Sequence, residues 1–190
     1  VHQARIPLFL ALLPVLVVIL AILLADRSFS LKREVSRGFG WPTLVSILVV
    51  FGVGALGIWA WLKETHPTWL FEFPRNRPHL WLMVMFAYPI VSVATQEIVY
   101  RTFFFHRYGP LFGERPAAAI ALNGVLFGFA HLVIGQPFAV IATVFGGLLF
   151  AARYLETRSI WAVIIEHTLW GGFVFTIGLG RYFFTGVANV

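Results

Sequence analysis

The sequence of 190 residues contains no cysteine and few charged residues. Without cysteine the chain forms no disulfide, has no thiolate nucleophile and offers no Cys ligand to a metal ion. Charged residues make up 12% of the chain, compared with about a quarter in soluble domains. Hydrophobic residues make up 59%, and the mean hydropathy is +0.86. These values indicate an integral membrane protein without long soluble extensions.

A nucleic-acid partner is not indicated either. The net charge is +6, but the Lys and Arg residues form no basic stripe, and the 17% of aromatic residues are spread through apolar runs. Membrane proteins acquire positive charge by concentrating Lys and Arg in cytoplasmic loops. The chain begins with Val rather than Met, which predicts a trimmed or processed N-terminus. The first apolar run is long enough to span, so we do not interpret it as a cleavable signal.

Six apolar runs predict six transmembrane helices, and hence an all-α, polytopic bundle that forms one membrane domain over residues 1–190. Polar loops are predicted at residues 26–40 and 63–79. The predicted spans are Ile6 to Ala25, Trp41 to the pair Lys63-Glu64, Leu80 to Tyr108, Ala117 to Ile134, Phe138 to Tyr154, and Ile160 to Leu179.

The distribution of Lys and Arg predicts the orientation of these spans. The segments 26–40, 101–116 and 153–158 share one side of the membrane and hold nine Lys and Arg residues, whereas the other side holds five. Positively charged loops stay in the cytoplasm. We therefore expect these three segments to be cytoplasmic and both termini to lie outside.

The third span contains a polar stretch, Thr95-Gln-Glu-Ile-Val-Tyr-Arg101, within an apolar run. An ionisable group at membrane depth is costly and is a functional-site hypothesis by default. Glu97 and Arg101 are four residues apart with the acid first, which predicts an ion pair on one face of the helix. The alternative interpretation is an ion pair that only fixes helix packing.

Two later spans also carry polar residues. Asn123, Phe127 and His131 are spaced by four residues in the fourth span and share a face. Glu166 and His167 lie in the sixth span. A single His in an apolar helix is usually a packing residue, but four ionisable groups on three helices are expected to meet one another.

The estimated depths of these residues in the membrane favour contacts between them. At 1.5 Å rise per residue, Glu97 lies about 18 Å from the break at Gly109, and His131 lies about 22 Å from Pro116 on the other side of that turn. His167 lies about 12 Å from Ser159 on the same side. Close helix approach is predicted at the glycines in these spans, which are residues 124, 128, 146, 147, 171 and 172.

Together these stretches resemble the CPBP family of intramembrane proteases, also called the Abi or type II CAAX prenyl endopeptidase family. Its pattern is Glu-Glu-x-x-x-Arg, then Phe-x-x-x-His, then His-x-x-x-Asn. In this chain the three motifs are Gln96-Glu-Ile-Val-Tyr-Arg101, Phe127-Gly-Phe-Ala-His131 and His167-Thr-Leu-Trp-Gly171. The resemblance covers about residues 80 to 180, which would form the protease-like core.

The resemblance implies an all-helical membrane bundle, often of eight helices, so that six spans indicate a short member or a trimmed chain. It implies a metal-independent glutamate mechanism with no cofactor. The expected partners are the lipid bilayer and a membrane-anchored peptide or protein substrate. The expected location is a bacterial inner membrane. Candidate catalytic residues are Gln96, Glu97, Arg101, His131 and His167.

Two positions depart from the family pattern. Gln96 stands where the family has the first glutamate, which is thought to activate water, and Gly171 stands where it has Asn. An amide cannot take a proton as a carboxylate does. We therefore expect Glu97 to serve as the base, with Glu166 as a possible substitute.

The resulting functional hypothesis is an intramembrane endopeptidase. Glu97 with His131 would activate water, His167 and Asn123 would bind the oxyanion or the substrate, and Arg101 would keep Glu97 ionised. Two His and a carboxylate also form a zinc-type set, but the His-Glu-x-x-His pattern is absent. The alternatives are a catalytically impaired pseudo-protease acting as a membrane scaffold or immunity factor, and a small proton-coupled transporter.

Overall fold

A computed structural model describes residues 8–183, with side chains from residue 12 onward. All regular structure in this range is helical, so the predicted all-α class is confirmed. The helices are α1 (Leu8–Ala25), α2 (Leu31–Ser36), α3 (Trp41–Thr65), α4 (Glu72–Asn76), α5 (Pro78–Arg107), α6 (Pro116–Ala130), α7 (Pro137–Thr157) and α8 (Ile160–Ile177).

Five helices are long and apolar enough to cross a membrane, namely α3, α5, α7, α8 and α6 together with its continuation to Ile134. The stretch Leu12–Ala25 of α1 is a shorter apolar helix. The predicted polytopic bundle is therefore confirmed. Ile6, where we placed the start of the first span, lies outside the described residues.

Proline sets where most of the long helices begin. Pro42, Pro78, Pro116 and Pro137 occupy the first or second position of α3, α5, α6 and α7. The missing N–H of proline costs nothing there, because the first turn of a helix has no acceptor for it. This explains why the predicted starts agree with the observed starts within two residues.

The two predicted loops contain short helices that the sequence analysis missed. α2 lies within residues 26–40 and α4 within residues 63–79. Ser30 caps α2, because its hydroxyl accepts a hydrogen bond from the backbone N–H of Arg33 at 3.3 Å. A serine followed by Leu-Lys-Arg-Glu is a helix-start signal of this kind.

α8 is the central helix of the bundle and packs against α3, α5 and α7. α6 and α7 form a tight antiparallel pair in which glycines allow the backbones to approach. A Cβ atom on Gly128 would lie 2.2 Å from Val144 Cγ2 and 3.1 Å from the carbonyl oxygen of Val140. By contrast, only 6% of the apolar stretch of α3 is buried. Most of α3 therefore presents a surface suited to lipid.

α5 is a single long helix with two wide turns of π geometry. The first, Tyr88–Val93, contains Pro89, and the N–H of Ala94 bonds the carbonyl of Pro89 five residues back. Proline cannot donate and clashes with the preceding turn, so the helix widens there. The second wide turn, Ile98–Phe103, carries Arg101. Single π turns inside α-helices are frequent at functional sites.

Two of the arginines that we counted as loop charges are not in loops. Arg101 is fully buried in α5, and Arg153 is 6% exposed in α7. Each is neutralised by a carboxylate, Glu97 and Glu166 respectively. The excess of positive charge on the predicted cytoplasmic side is therefore smaller than the sequence count indicates, and the orientation remains a prediction.

Asp26, which follows the last residue of α1, links α1 to the end of α5. Asp26 Oδ2 lies 3.1 Å from His106 Nε2, and Ser28 donates two hydrogen bonds to Asp26 Oδ1. The bonds from Ser28 and the contact with His106 lower the pKa of the Asp26 carboxyl to about 2. This carboxylate therefore stays ionised at physiological pH and anchors the two helix ends.

Candidate active site

Glu97 is a fully buried carboxylate at the junction of three helices. Its Oε1 lies 2.7 Å from Nδ1 of His167 on α8, and its Oε2 lies 3.1 Å from Nε of Arg101 on the next turn of α5. The ion pair predicted from the spacing of Glu97 and Arg101 is confirmed. A buried carboxylate requires a positive partner of this kind to remain ionised.

Arg101 contacts α6 and α7 as well as Glu97. Its Nη2 donates to the carbonyl oxygen of Gly147 on α7 at 3.2 Å. The guanidinium carbon lies 4.6 Å from the ring centre of Phe127 and 5.5 Å from that of Phe150. These cation–π contacts and the hydrogen bond to the Gly147 carbonyl stabilise a charge that would be unfavourable in the apolar interior of the membrane. Arg101 therefore joins α5, α6 and α7 around Glu97.

His167 lies between two oxygen atoms. An ionised carboxylate only accepts hydrogen bonds, so Nδ1 of His167 carries the proton that is shared with Glu97. Its Nε2 lies 3.0 Å from the hydroxyl of Tyr88 on α5. The imidazole also stacks on Phe150 with ring centres 4.6 Å apart. The ring orientation and the protonated nitrogen of His167 are thus both fixed.

His131 presents a free imidazole nitrogen. Its Nδ1 lies 2.8 Å from the carbonyl oxygen of Phe127, and a carbonyl only accepts, so Nδ1 carries the proton. Nε2 is therefore the unprotonated nitrogen of the neutral ring. The rings of His131 and His167 both contact Phe127, with centres 5.0 and 5.6 Å away. Both imidazole rings thus contact the same phenyl ring, that of Phe127.

The structure pairs Glu97 with His167, whereas we expected His131 as its partner. α8 packs along the middle of α5, so His167 faces Glu97 directly. His131 lies at the end of α6, where the helix passes into a 3-10 turn and the ring bonds its own backbone. The similar depth of Glu97, His131 and His167 along their helices predicts that they lie in one region, but it does not determine which two of them are hydrogen-bonded.

A comparison with protein-family models gives one match, to the type II CAAX prenyl endopeptidase Rce1-like model over residues 78–173. The chain belongs to this family. The matched range begins with α5 and ends within α8, so it contains all the contacts of Glu97, Arg101, His131 and His167 described in this subsection. No curated protein and no solved structure gives a match. The resemblance found in the sequence is confirmed, and membership supports a type II CAAX endopeptidase-like function for this membrane protein.

The first residue of the endopeptidase motif, Gln96, is partly exposed and bonds its own helix. Its Nε2 donates to the hydroxyl of Ser92 at 2.8 Å. Asn123 donates from Nδ2 to the carbonyl oxygen of Tyr100 at 2.6 Å and so satisfies a backbone group in the second wide turn of α5. The amide oxygens of Gln96 and Asn123 are buried and have no hydrogen-bond partner in the described part of the chain.

Glu166 is engaged in a second buried ion pair. Its two carboxylate oxygens lie 3.0 and 3.3 Å from Nε and Nη2 of Arg153, a two-point contact. Arg153 also donates to Ser46 at 3.1 Å and to Glu156 at 2.9 Å. This network joins α3, α7 and α8. The suggestion of Glu166 as a substitute base stays a prediction, and this carboxylate is already neutralised by a guanidinium.

Three further residues contact the site but were not predicted from the sequence, namely Tyr88, Gly147 and Phe150. Tyr88 was the one with a sequence signal, because it is a hydroxyl-bearing residue beside Pro89 within an apolar span. Phe150 and Gly147 have no such signal, since aromatic residues and glycines occur throughout the spans. Their roles depend on which face of α7 meets Arg101 and His167.

A polar cavity of about 210 Å³ lies elsewhere, at the end of the bundle near α2. Its lining includes Arg33, Arg37, Arg158 and the buried Glu34. This cavity is separate from the Glu97–His167 pair. Within residues 8–183 no three His, Asp or Glu side chains lie close enough together to hold a metal ion.

Proposed function

We propose that this member of the family is an intramembrane endopeptidase that hydrolyses a peptide bond in a membrane-anchored peptide or protein. The observation that carries the proposal is that the imidazoles of His131 and His167 both contact the ring of Phe127. His131 has a free Nε2, while His167 is held by a buried carboxylate. Peptide hydrolysis needs a base for water and donors for the oxyanion, and these two rings supply both.

His131 acts as the general base. Its Nε2 takes a proton from water while the water oxygen attacks the carbonyl carbon of the substrate, and the carbonyl electrons move onto oxygen. Collapse of the tetrahedral intermediate breaks the C–N bond, and His131 returns the proton to the leaving nitrogen. The products are a carboxylic acid and an amine, so the proton and the water are fully accounted for.

Glu97 acts through His167 rather than on water. Its Oε1 bonds His167, its Oε2 is in ion-pair contact with Arg101, and the side chain is fully buried. A buried carboxylate bonded to Nδ1 orients an imidazole and stabilises positive charge on it, as the Asp of a serine-protease triad does. Positive charge on the His167 ring then stabilises the developing oxyanion. Arg101 lies beside Glu97 and compensates its buried negative charge.

The surroundings of His131 suit a substrate that arrives within the membrane. Phe129, Leu132 and Val133 flank it and are 57%, 60% and 69% exposed. An apolar surface of this kind is covered by lipid or by an apolar segment of another chain. A peptide held in the bilayer by a prenyl group or a helix would therefore reach His131 from the side.

Cleavage by purified variants tests this proposal. The probes are a farnesylated peptide with a CAAX terminus and an unprenylated peptide anchored by an apolar helix. His131→Ala and Glu97→Gln should each lower kcat about 10²- to 10⁴-fold, the usual contribution of acid–base groups. The exposed His79→Ala is the matched control and should cleave at the wild-type rate. Full activity in His131→Ala would refute the role of His131.

Position 96 separates this proposal from its alternative. Glu97 is already engaged, so Gln96→Glu should leave the rate unchanged or lower it by placing a second carboxylate beside the first. The alternative is a catalytically impaired scaffold, and it is favoured because Glu97, the carboxylate that bonds His167, is already paired with Arg101. Cleavage by Gln96→Glu, but not by the wild type, would establish that alternative. Loss of activity in Glu166→Gln with full activity in Glu97→Gln would assign the essential carboxylate to Glu166 on α8.

A further inference from the structure

Tyr88 lies outside all three motifs, yet its hydroxyl is a direct partner of His167. Tyr88 Oη lies 3.0 Å from Nε2 of His167, the nitrogen that faces away from Glu97. The tyrosine ring packs edge-on against Phe175 with ring centres 5.3 Å apart. Glu97, His167 and Tyr88 therefore form a continuous hydrogen-bonded chain that begins at a buried carboxylate and ends at a hydroxyl.

Tyr88 occupies space that a side chain at position 171 would need. A Cβ atom built on Gly171 would lie 2.2 Å from Tyr88 Oη and 2.4 Å from Cε1, so no larger residue fits without displacing the ring. Gly171 is the position, four residues after His167, where the family pattern has Asn. The glycine at position 171 thus leaves room for the Tyr88 hydroxyl beside His167.

The wide turn of α5 places the tyrosine there. Tyr88 is the first residue of the π segment Tyr88–Val93, which contains Pro89. A π turn adds a residue to the helix and re-aims the side chains around it. The hydroxyl is therefore positioned by the backbone and by the ring contact with Phe175, with little freedom left to lose when substrate binds.

We propose that Tyr88 is the hydrogen-bond donor that replaces the missing side chain at position 171. In the form that binds substrate, His167 carries a proton on each nitrogen, so that Nδ1–H donates to Glu97, Nε2–H donates to Tyr88 Oη, and the tyrosine O–H donates to the oxyanion of the substrate. Both protons are present before water attacks and stay on His167, while the proton of the water goes to His131. The two hydrogen bonds let the positive charge of the imidazolium stabilise the developing negative oxygen. This assignment rests on the proposed endopeptidase function and adds a substrate-contacting residue to it.

Tyr88→Phe tests the donor role directly. It keeps the ring and removes only the hydroxyl, so kcat should fall about 10²- to 10³-fold, the loss typical of one oxyanion donor, with little change in KM. The matched control is Tyr108→Phe at the exposed residue that follows the end of α5, which should retain full activity. Wild-type kcat in Tyr88→Phe would overturn the proposal.

A reciprocal exchange tests the link between positions 88 and 171. Gly171→Asn alone should lower both the melting temperature and the rate, because its Cβ overlaps Tyr88. Tyr88→Ala combined with Gly171→Asn removes the overlap and returns a polar group to α8. The double variant should therefore exceed Gly171→Asn in melting temperature and exceed both single variants in rate. Additive losses in the double variant would contradict the exchange.

A spectroscopic readout separates failure of this inference from failure of the proposed function. In ¹⁵N-histidine spectra of the detergent-solubilised chain, Tyr88→Phe should shift the Nε2 resonance of His167 and leave that of His79 unchanged. An unchanged His167 resonance would overturn the pairing whatever the enzyme cleaves. If the wild type cleaves neither probe, the endopeptidase function and the oxyanion role fall together, and the resonance alone then decides whether Tyr88 is the partner of His167.

Discussion

At the scale of single residues, Arg101 links most of the site. Its guanidinium contacts Glu97, the carbonyl of Gly147 and the faces of Phe127 and Phe150. A charge fully removed from water depends on all of these partners, because each lost contact leaves a desolvated group without compensation. Arg101 is thus first a structural residue and only through Glu97 a functional one.

Arg101→Ala should therefore destabilise the fold more than His131→Ala. Removal of one member of a buried ion pair costs about 3–5 kcal/mol, because the other charge is left uncompensated. His131 is partly exposed and bonds only its own helix in the described structure, so its truncation should cost less. Melting temperatures in detergent measure both, with the exposed Arg107→Ala as control. Equal melting temperatures for Arg101→Ala and His131→Ala would refute this ranking.

At the scale of helices, the close pairing of α6 and α7 positions the aromatic residues of the site. Gly147 supplies the acceptor for Arg101, and a Cβ atom there would lie 2.9 Å from Phe127 Cβ. Phe127 on α6 and Phe150 on α7 then contact each other with ring centres 6.3 Å apart, and both contact Arg101 and His167. Any separation of the two helices would loosen these contacts.

Gly128→Ala should therefore destabilise the protein even though alanine is the better helix former. Its Cβ would lie 2.2 Å from Val144 Cγ2 and 3.1 Å from the backbone oxygen of Val140, both on α7. Such overpacking costs about 1–3 kcal/mol. The control is Gly57→Ala in α3, where a Cβ meets nothing within 4 Å. Gly57→Ala should be neutral or stabilising by up to about 1 kcal/mol. Similar melting temperatures for the two variants would contradict this account of the pairing.

At the scale of the whole molecule, the site is built on α5 to α8, while α1 to α3 surround it less tightly. α8 contacts both the Glu97 region of α5 and α3. The orientation of this bundle depends on few charges, since Arg101 and Arg153 are buried. The remaining positive charge near α2, which includes Arg27, Lys32, Arg33 and Arg37, still predicts that this end is cytoplasmic.

The absence of cysteine makes this orientation directly measurable. Ser36→Cys in α2 and Glu64→Cys at the end of α3 are both at exposed positions in a cysteine-free chain. In intact cells a membrane-impermeant maleimide should label Glu64→Cys, whereas Ser36→Cys should react only after permeabilisation. The unsubstituted chain is the blank. The reverse labelling pattern would place the loop at residues 26–40 outside.

The sequence by itself determined the long helices, the family and one contact of the site. Long apolar runs must become helices in lipid, because the bilayer offers no partner for backbone N–H and C=O groups. Proline then marked most of the helix starts, and the spacing of Glu97 and Arg101 fixed their ion pair. All of these depend on residues close together in the chain, so local rules are sufficient to predict them.

Only the tertiary structure decided the partners of His167 and Glu166 and the place of Tyr88. These contacts join α5, α7 and α8, and each depends on how far a helix is rotated and tilted against its neighbour. One residue turns an α-helix by about 100°, and the two wide turns of α5 shift its faces further. His167 therefore met Glu97 while Glu166, the next residue, met Arg153. Sequence spacing cannot choose between such neighbours, because the rotation that separates them is set by packing across the whole bundle.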